Sequence, residues 1–351
     1  MTGPATFKQH YFYIKRAADL FKVPATLDLT TSIIKLAYPN THQAGLLLPQ
    51  FSKVQADNKR IYNAFFEQMS DRFAGWRPYT PISIDLLGDK LALKKRLLVE
   101  GCLAPHYSET LDTELTGFII KPRSSSFSQN IFGPFSSKEE LVFELEKNYF
   151  IEQFIPGEIV KIWYLNAQPS CIELADMPAI VGDGNKSIRA LVIELLNQQI
   201  NPQAALFKSS LINRQEQPKE IDQTTFIMLA KLKQMLAFQG CHLDAVPLRN
   251  QRLLLDFRYM HVFPRGNAAY CLAHCERDFS ALDTQLQKIG HTIQTILNEA
   301  HCPFLIYTVD AILDNNGQLW VLETNTNPMM HPFVYEDLVR HLVHQNQHIQ
   351  P

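Results

Sequence analysis

The 351-residue sequence has no surplus of either charge. Lys plus Arg number 33 and Asp plus Glu 35, for a formal net charge of −2. A generic nucleic-acid binder carries a basic excess for its phosphate contacts, so none is expected here. Long apolar runs are missing too. Gly45-Leu46-Leu47-Leu48-Pro49 falls far short of the roughly 18 residues of a membrane span, and no membrane partner is expected. Met1 to Leu20 mixes Lys8, His10, Lys15 and Arg16 with aromatics, without the continuous apolar core or small-residue cleavage site of a secretory signal. Six cysteines in this length are too few for a disulfide scaffold, so reduced thiols and a cytoplasmic location are expected. No internal repeat or low-complexity tract is present.

What is there can build cores. Hydrophobic residues make up 46% and charged residues 19%. At about 150 residues per domain the length suggests two or three domains. Thr26 to Ala37 alternates as a strand-containing stretch, and the four-residue spacing of Ile61, Phe65, Met69 and Phe73 predicts an amphipathic helix over Asn58 to Phe73. Asp89 to Gly101 reads as a helix with an acidic start and a glycine stop. Ser137 to Leu145 carries a Ser-x-x-Glu capping pattern and reads as another. Strands are expected at Phe118–Ile120, Phe150–Ile155 and Ile159–Ala167, and helices at Ser187–Gln198, Thr224–Phe238 and Phe279–Ala300. This mixture argues for an α+β or mixed α/β enzyme.

The strongest chemical signal is Tyr307 to Pro328, YTVDAILDNNGQLWVLETNTNP. Asn316-Gly317 between apolar strands is a hairpin signal. With those two residues as the loop, Asn315 pairs with Gln318 and Asp310 lies opposite Glu323, with Asn325 on the same face. The other face carries Tyr307, Val309, Ala311 and Leu313 against Trp320, Leu322 and Thr324. Opposed acids repel unless a cation joins them, and two carboxylates with an amide oxygen are hard ligands of the kind Mg²⁺ prefers.

Asp310 with Glu323-Thr324-Asn325 resembles the last motif of ATP-grasp ligases. Other pieces follow in order: Asp89-Lys90 with Lys94, Leu97-Leu98 and Gly101; Ile119-Ile120-Lys121-Pro122; and Ile151-Glu152-Gln153-Phe154-Ile155-Pro156-Gly157. Met177 to Gly184 with Ile188-Arg189, then Gly240, Leu243-Asp244 and Val246-Pro247, is similar to the cyanophycin synthetase and glutathione synthetase branch, near D-alanine–D-alanine ligases. The resemblance runs from about residue 86 to 335.

It implies an α+β ATP-grasp fold of three subdomains, with ATP between the central and C-terminal ones. The corresponding segments are 1–85 on the substrate side, 86–157 and 158–351. It further implies an ADP-forming carboxylate–amine ligase that makes an amide through an acyl phosphate, with small-molecule or peptide carboxylate and amine substrates. Lys90 and Lys121 would meet phosphates; Glu152, Phe154 and Ile155 would meet adenine; Ser125 and Ser126 would cover phosphates. Asp310, Glu323 and Asn325 would hold Mg²⁺ or Mn²⁺. Arg265 and Asn267 stand at the catalytic position, and homodimers are frequent in the family.

Three departures are visible. The phosphate loop, Arg123 to Ser128, has no glycine. Ile159 stands where the family has its ribose-binding acid, leaving Glu158 as the candidate. Met329 follows Pro328 where the family has glycine. Two rival readings accompany the ligase. One is an ATP-grasp-type kinase, because Gly157 to Lys161 is similar to inositol-phosphate kinases. The other is a nucleotide-binding protein without catalysis.

Overall fold

The computed structural model describes residues 5–38, 44–54, 60–63, 66, 72–111, 114–124, 130–141, 144–198, 202–214, 222–258, 262–263, 267–272, 274 and 278–347. Its helices and strands are mixed, the α+β class expected. The chain forms two compact units, each drawn from separated stretches: Met1–Ala104, Val160–Leu174 and Asn267–Pro351 make the first, and Pro105–Ile159 with Ala175–Gly266 the second. The sequence reading cuts the chain into consecutive segments instead.

The first unit contains two five-stranded sheets. In one, Ala25–Leu27, Ile34–Ala37, Ala44–Val54 and Arg60–Asn63 follow one another, and Arg72–Arg77 also pairs with Ala44–Val54. The expected helix over 58–73 is therefore corrected where it is described. Arg60–Asn63 is a strand, because it pairs with Phe51 to Val54; the spacing-of-four residues Phe65 and Met69 lie outside the described residues.

The second sheet orders its strands Asn267–Cys271, Gln168–Ala175, Glu158–Leu165, Ile306–Leu313 and Leu319–Asn325. One face buries Val160, Ile162, Tyr164, Tyr307, Val309, Ala311, Leu319 and Val321 against the helices Ser280–Glu299 and Lys90–Val99. Leu286, Ile289, Ile293 and Leu297 supply the helical stripe at the expected three-to-four spacing. Gly290 is needed where that helix crosses the Asn166-Ala167 turn, since a Cβ there would lie 2.0 Å from the Ala167 carbonyl oxygen. The opposite face buries Trp163, Leu165, Cys171 and Ile306 with residues of the first helix, Phe7–Leu20, and the last, Val334–Gln347. The first helix starts on a capping box between Thr6 and Gln9.

In the second unit, Tyr107–Ser108, Tyr149–Gln153, Phe118–Pro122 and Phe132–Phe135 form a four-stranded sheet. Ala179–Val181 and Arg252–Leu254 pair separately, and the helices Ile188–Leu196, Pro202–Ile212 and Gln223–Phe238 share a core with them. The helix expected from Ser137 is only a turn, Lys138–Glu140, and the Ser137 hydroxyl caps nothing.

Candidate active site

The carboxylate hairpin joins Ile306–Leu313 to Leu319–Asn325. Its loop is longer than two residues. Leu313 pairs with Leu319, and the Asp314 carboxylate closes the turn by accepting from the Asn316 N–H at 2.8 Å and the Gln318 N–H at 2.9 Å. Counting back from Leu313–Leu319 would set Asp310 against Leu322. A β-bulge intervenes: Ala311 pairs with Val321, Asp310 with Glu323, and Leu322 is the extra residue. Asp310 and Glu323 thus face each other as expected, although the loop differs. The core partners of Ala311 and Leu313 are Val321 and Leu319 rather than Leu322 and Trp320. The register also corrects the expected core face in that respect. The strand continues through Asn325, which pairs with Thr308 and so lies on the acidic face. Its side chain is exposed, and its Oδ1 accepts the Asn327 N–H at 2.9 Å.

Two lysines answer the two acids. Lys161, on the neighbouring strand, pairs with Asp310. Lys90 Nζ lies 3.0 Å from Glu323 Oε2. Lys90 is the first residue of its helix, with Asp89 as N-cap accepting from the Leu91 and Ala92 N–H groups at 2.9 and 3.0 Å. The Thr324 hydroxyl donates to the Leu87 carbonyl at 2.9 Å, tying the hairpin to the approach of that helix. Burial pushes the Asp310 carboxyl above its ordinary range, and the Glu323 charge adds to this, while Lys161 and Lys90 pull it back. The result is an alternating quartet, Lys161–Asp310–Glu323–Lys90. Lys161 carries no role in the sequence reading, but it is the one charge inside the apolar run Ile159 to Leu165.

In the second unit Lys121 and Glu152 form an ion pair of 2.7 Å, with side-chain exposures of 4% and 1%. Ile119 pairs with Glu152 and Lys121 with Phe150, so the two charges are diagonal neighbours on one sheet face. The Lys121 ammonium also lies 5.4 Å from the Phe150 ring centroid. Phe154 is buried between Phe238 and Phe257 at ring distances of 5.5 and 5.3 Å, and its N–H donates to the Gly117 carbonyl. Ile155 follows, half-buried.

The remaining candidates divide. Glu158 opens its strand three residues before Lys161, so alternation sets it on the opposite face; Ile159 shares the face of Lys161. Asn267 begins the strand Asn267–Cys271. Ser125, Ser126 and Arg265 lie outside the described residues. Among the described residues, no group of three His, Cys, Asp or Glu could hold a metal.

The branch-like segments around 189 and 244 meet for an architectural reason. Arg189 grips Asp244 with two nitrogens, at 2.9 and 3.2 Å, which holds the Asp244 carboxyl below its ordinary range. The Ile188 and Arg189 N–H groups donate to the Ala245 and Leu243 carbonyls.

No protein-family model matches the sequence, and no curated protein matches it. Among solved structures, it is similar to a bifunctional glutathione synthetase from Pasteurella multocida, at 15% identity and TM-score 0.42, over 96% of this chain and 43% of that one. The chain thus spans less than half the length of that synthetase. A D-alanine–D-alanine ligase from Bacillus anthracis matches at 14% identity and TM-score 0.36, over 75% of this chain and 69% of that one. An ATP-grasp ligase solved with its minimal precursor matches at 12% identity and TM-score 0.38, over 74% and 60%.

Proposed function

We propose that the chain is an ATP- and magnesium-dependent carboxylate–amine ligase of ATP-grasp build. The observation that carries this reading is the direct opposition of Asp310 and Glu323, flanked by Lys161 and Lys90. Two like charges opposed on a sheet destabilise it, and here lysines offset them.

The donor set fits the metal. Both acids present hard oxygens, and the Asn325 amide oxygen retains a second lone pair beyond the one that takes the Asn327 N–H. Magnesium bound there would neutralise charge on the β- and γ-phosphates of ATP. The chain's own residues do the rest. With the carboxylates engaged, the Lys161 and Lys90 ammonium groups turn from counter-ions into donors for phosphate oxygens. The resemblance assigns Lys121 and Glu152 to the nucleotide as well.

In the reaction a substrate carboxylate oxygen bonds to the γ-phosphorus and ADP leaves. An amine nitrogen then bonds to the acyl carbon and inorganic phosphate leaves. No protein nucleophile is required. ADP release should be screened with amino acids and short peptides, followed by mass spectrometry of the product. Glu323→Ala should abolish release while the circular dichroism spectrum is kept; unchanged turnover would overturn the assignment.

The similarity of Gly157 to Lys161 to inositol-phosphate kinases carries a second reading, a small-molecule kinase. Such an enzyme leaves the phosphoryl group on the acceptor, whereas a ligase liberates inorganic phosphate.

A further inference from the structure

Arg77 ends the strand Arg72–Arg77 and is fully buried. One terminal nitrogen donates to Gln50 Oε1, on the neighbouring strand. The other donates to the carbonyl oxygen of Pro328, just beyond the carboxylate hairpin. Among the described residues Arg77 has no carboxylate partner, and its Nε has no hydrogen-bond partner. A buried cation without an anion is expensive, and a guanidinium stays charged. A neutral side chain could fill the volume, so the charge and the two-pronged shape call for a reason beyond packing.

The segment it holds supplies that reason. Asn327 exchanges two hydrogen bonds with the backbone of Ile82, at 2.7 and 3.1 Å. The Met329 carbonyl accepts from Trp163 Nε1 at 2.9 Å. The Met330 N–H donates to the Ala74 carbonyl at 2.9 Å. Every residue from Asn327 to Met330 is therefore tied, and three of the four ties run to residues 74–82. This is also where Met329 replaces the glycine of the resembling family.

We infer that Arg77 is a positioning residue, whose fork sets the loop Asn327–Met330 against the strand Arg72–Arg77 and so fixes the wall beside Asn325. That this wall faces the acceptor substrate rests on the ligase reading; the positioning itself does not. Arginine suits this geometry, because its two terminal nitrogens are fixed in one plane toward Gln50 and Pro328, whereas a lysine ammonium is a compact point charge on a flexible stem.

The test is hydrogen exchange by mass spectrometry on the full chain. In Arg77→Lys, peptides covering 326–334 should exchange at least tenfold faster, with the helix Ser280–Glu299 unchanged. Gln50→Glu gives Arg77 an anion and should keep or raise the loop's protection, while trading the Nε2 donor to the Tyr79 carbonyl, 3.0 Å away, for an acceptor. Unchanged loop exchange in Arg77→Lys, acceleration spread evenly over the chain, or loop exchange in Gln50→Glu as fast as in Arg77→Lys would each overturn the inference. None of these readouts needs a substrate, so failure to find ADP release would sink the ligase reading alone. If an acceptor is found, Arg77→Lys should raise its KM at least tenfold and leave the KM for ATP within twofold; equal changes in both would mark a merely structural role.

Discussion

Asp310 stands opposite Glu323 because Leu322 is bulged out of the ladder. The bulge absorbs one residue, so with Leu322 deleted Glu323 follows Val321 directly and the ladder runs on in register. Deleting Leu322 should therefore leave Asp310 still facing Glu323. The hairpin core, Ala311–Val321 and Leu313–Leu319, lies on the turn side of the bulge and should persist. The expected outcome is ADP release retained, with the far-ultraviolet circular dichroism unchanged. Loss of release in the folded deletion variant would show that the opposition alone is not enough.

The Lys121–Glu152 pair predicts a strong asymmetry between single and double substitutions. Lys121→Met leaves a buried carboxylate without its cation and should cost about 3–5 kcal/mol. Adding Glu152→Gln removes the uncompensated charge and should recover much of that loss. Urea unfolding of the two single variants and the double variant gives the coupling directly, and additive losses would contradict it.

Acid should weaken the first unit through two buried imidazoles. Burial lowers both His10 and His331 from 6.5 to about 4; His331 and Arg77 add to the effect at His10, while Glu173 opposes it at His331. The unfolded chain then binds protons that the folded one refuses. Stability is fully present above about pH 6.5, falls as the pH drops, and levels off near pH 4. The shift of His10 corresponds to about 3 kcal/mol. His10→Gln can keep a hydrogen bond to the Tyr335 hydroxyl, 2.8 Å away in the wild type, and should flatten this dependence. A stability profile between pH 4 and 7 as steep as that of the wild type would refute the assignment.

Arg189→Ala separates architecture from catalysis. It breaks the two-pronged tie to Asp244 and should cost about 1–3 kcal/mol of stability. At temperatures where the variant is folded, kcat for ADP release should be within twofold of wild type.

The sequence made the site more legible than its scaffold. Asn316-Gly317 marked the hairpin, and the acids were correctly opposed, yet by two offsetting departures: a longer loop closed by Asp314, and a bulge that no residue type announces. Lys161 was readable in principle as an isolated charge among apolar neighbours; its value emerges only when its strand pairs beside Asp310. The helix expected over 58–73 gives way at Arg60–Asn63 because strand pairing with Phe51 to Val54, a long-range contact, outweighs local periodicity. Ser137 carried a capping signature, but its hydroxyl makes no cap and helical geometry lasts one turn.

The packing of the first helix, Phe7–Leu20, beside the last, Val334–Gln347, has a consequence for synthesis. His10 meets Tyr335 across 325 positions of sequence. A ribosome must therefore translate past the last helix before the first can settle on its partner. The second unit ends at Gly266, so every residue it needs has emerged much earlier. Translation thus supplies every residue of the second unit first, and the first unit closes only once the helix Val334–Gln347 has been made, with the slow kinetics of long-range contacts.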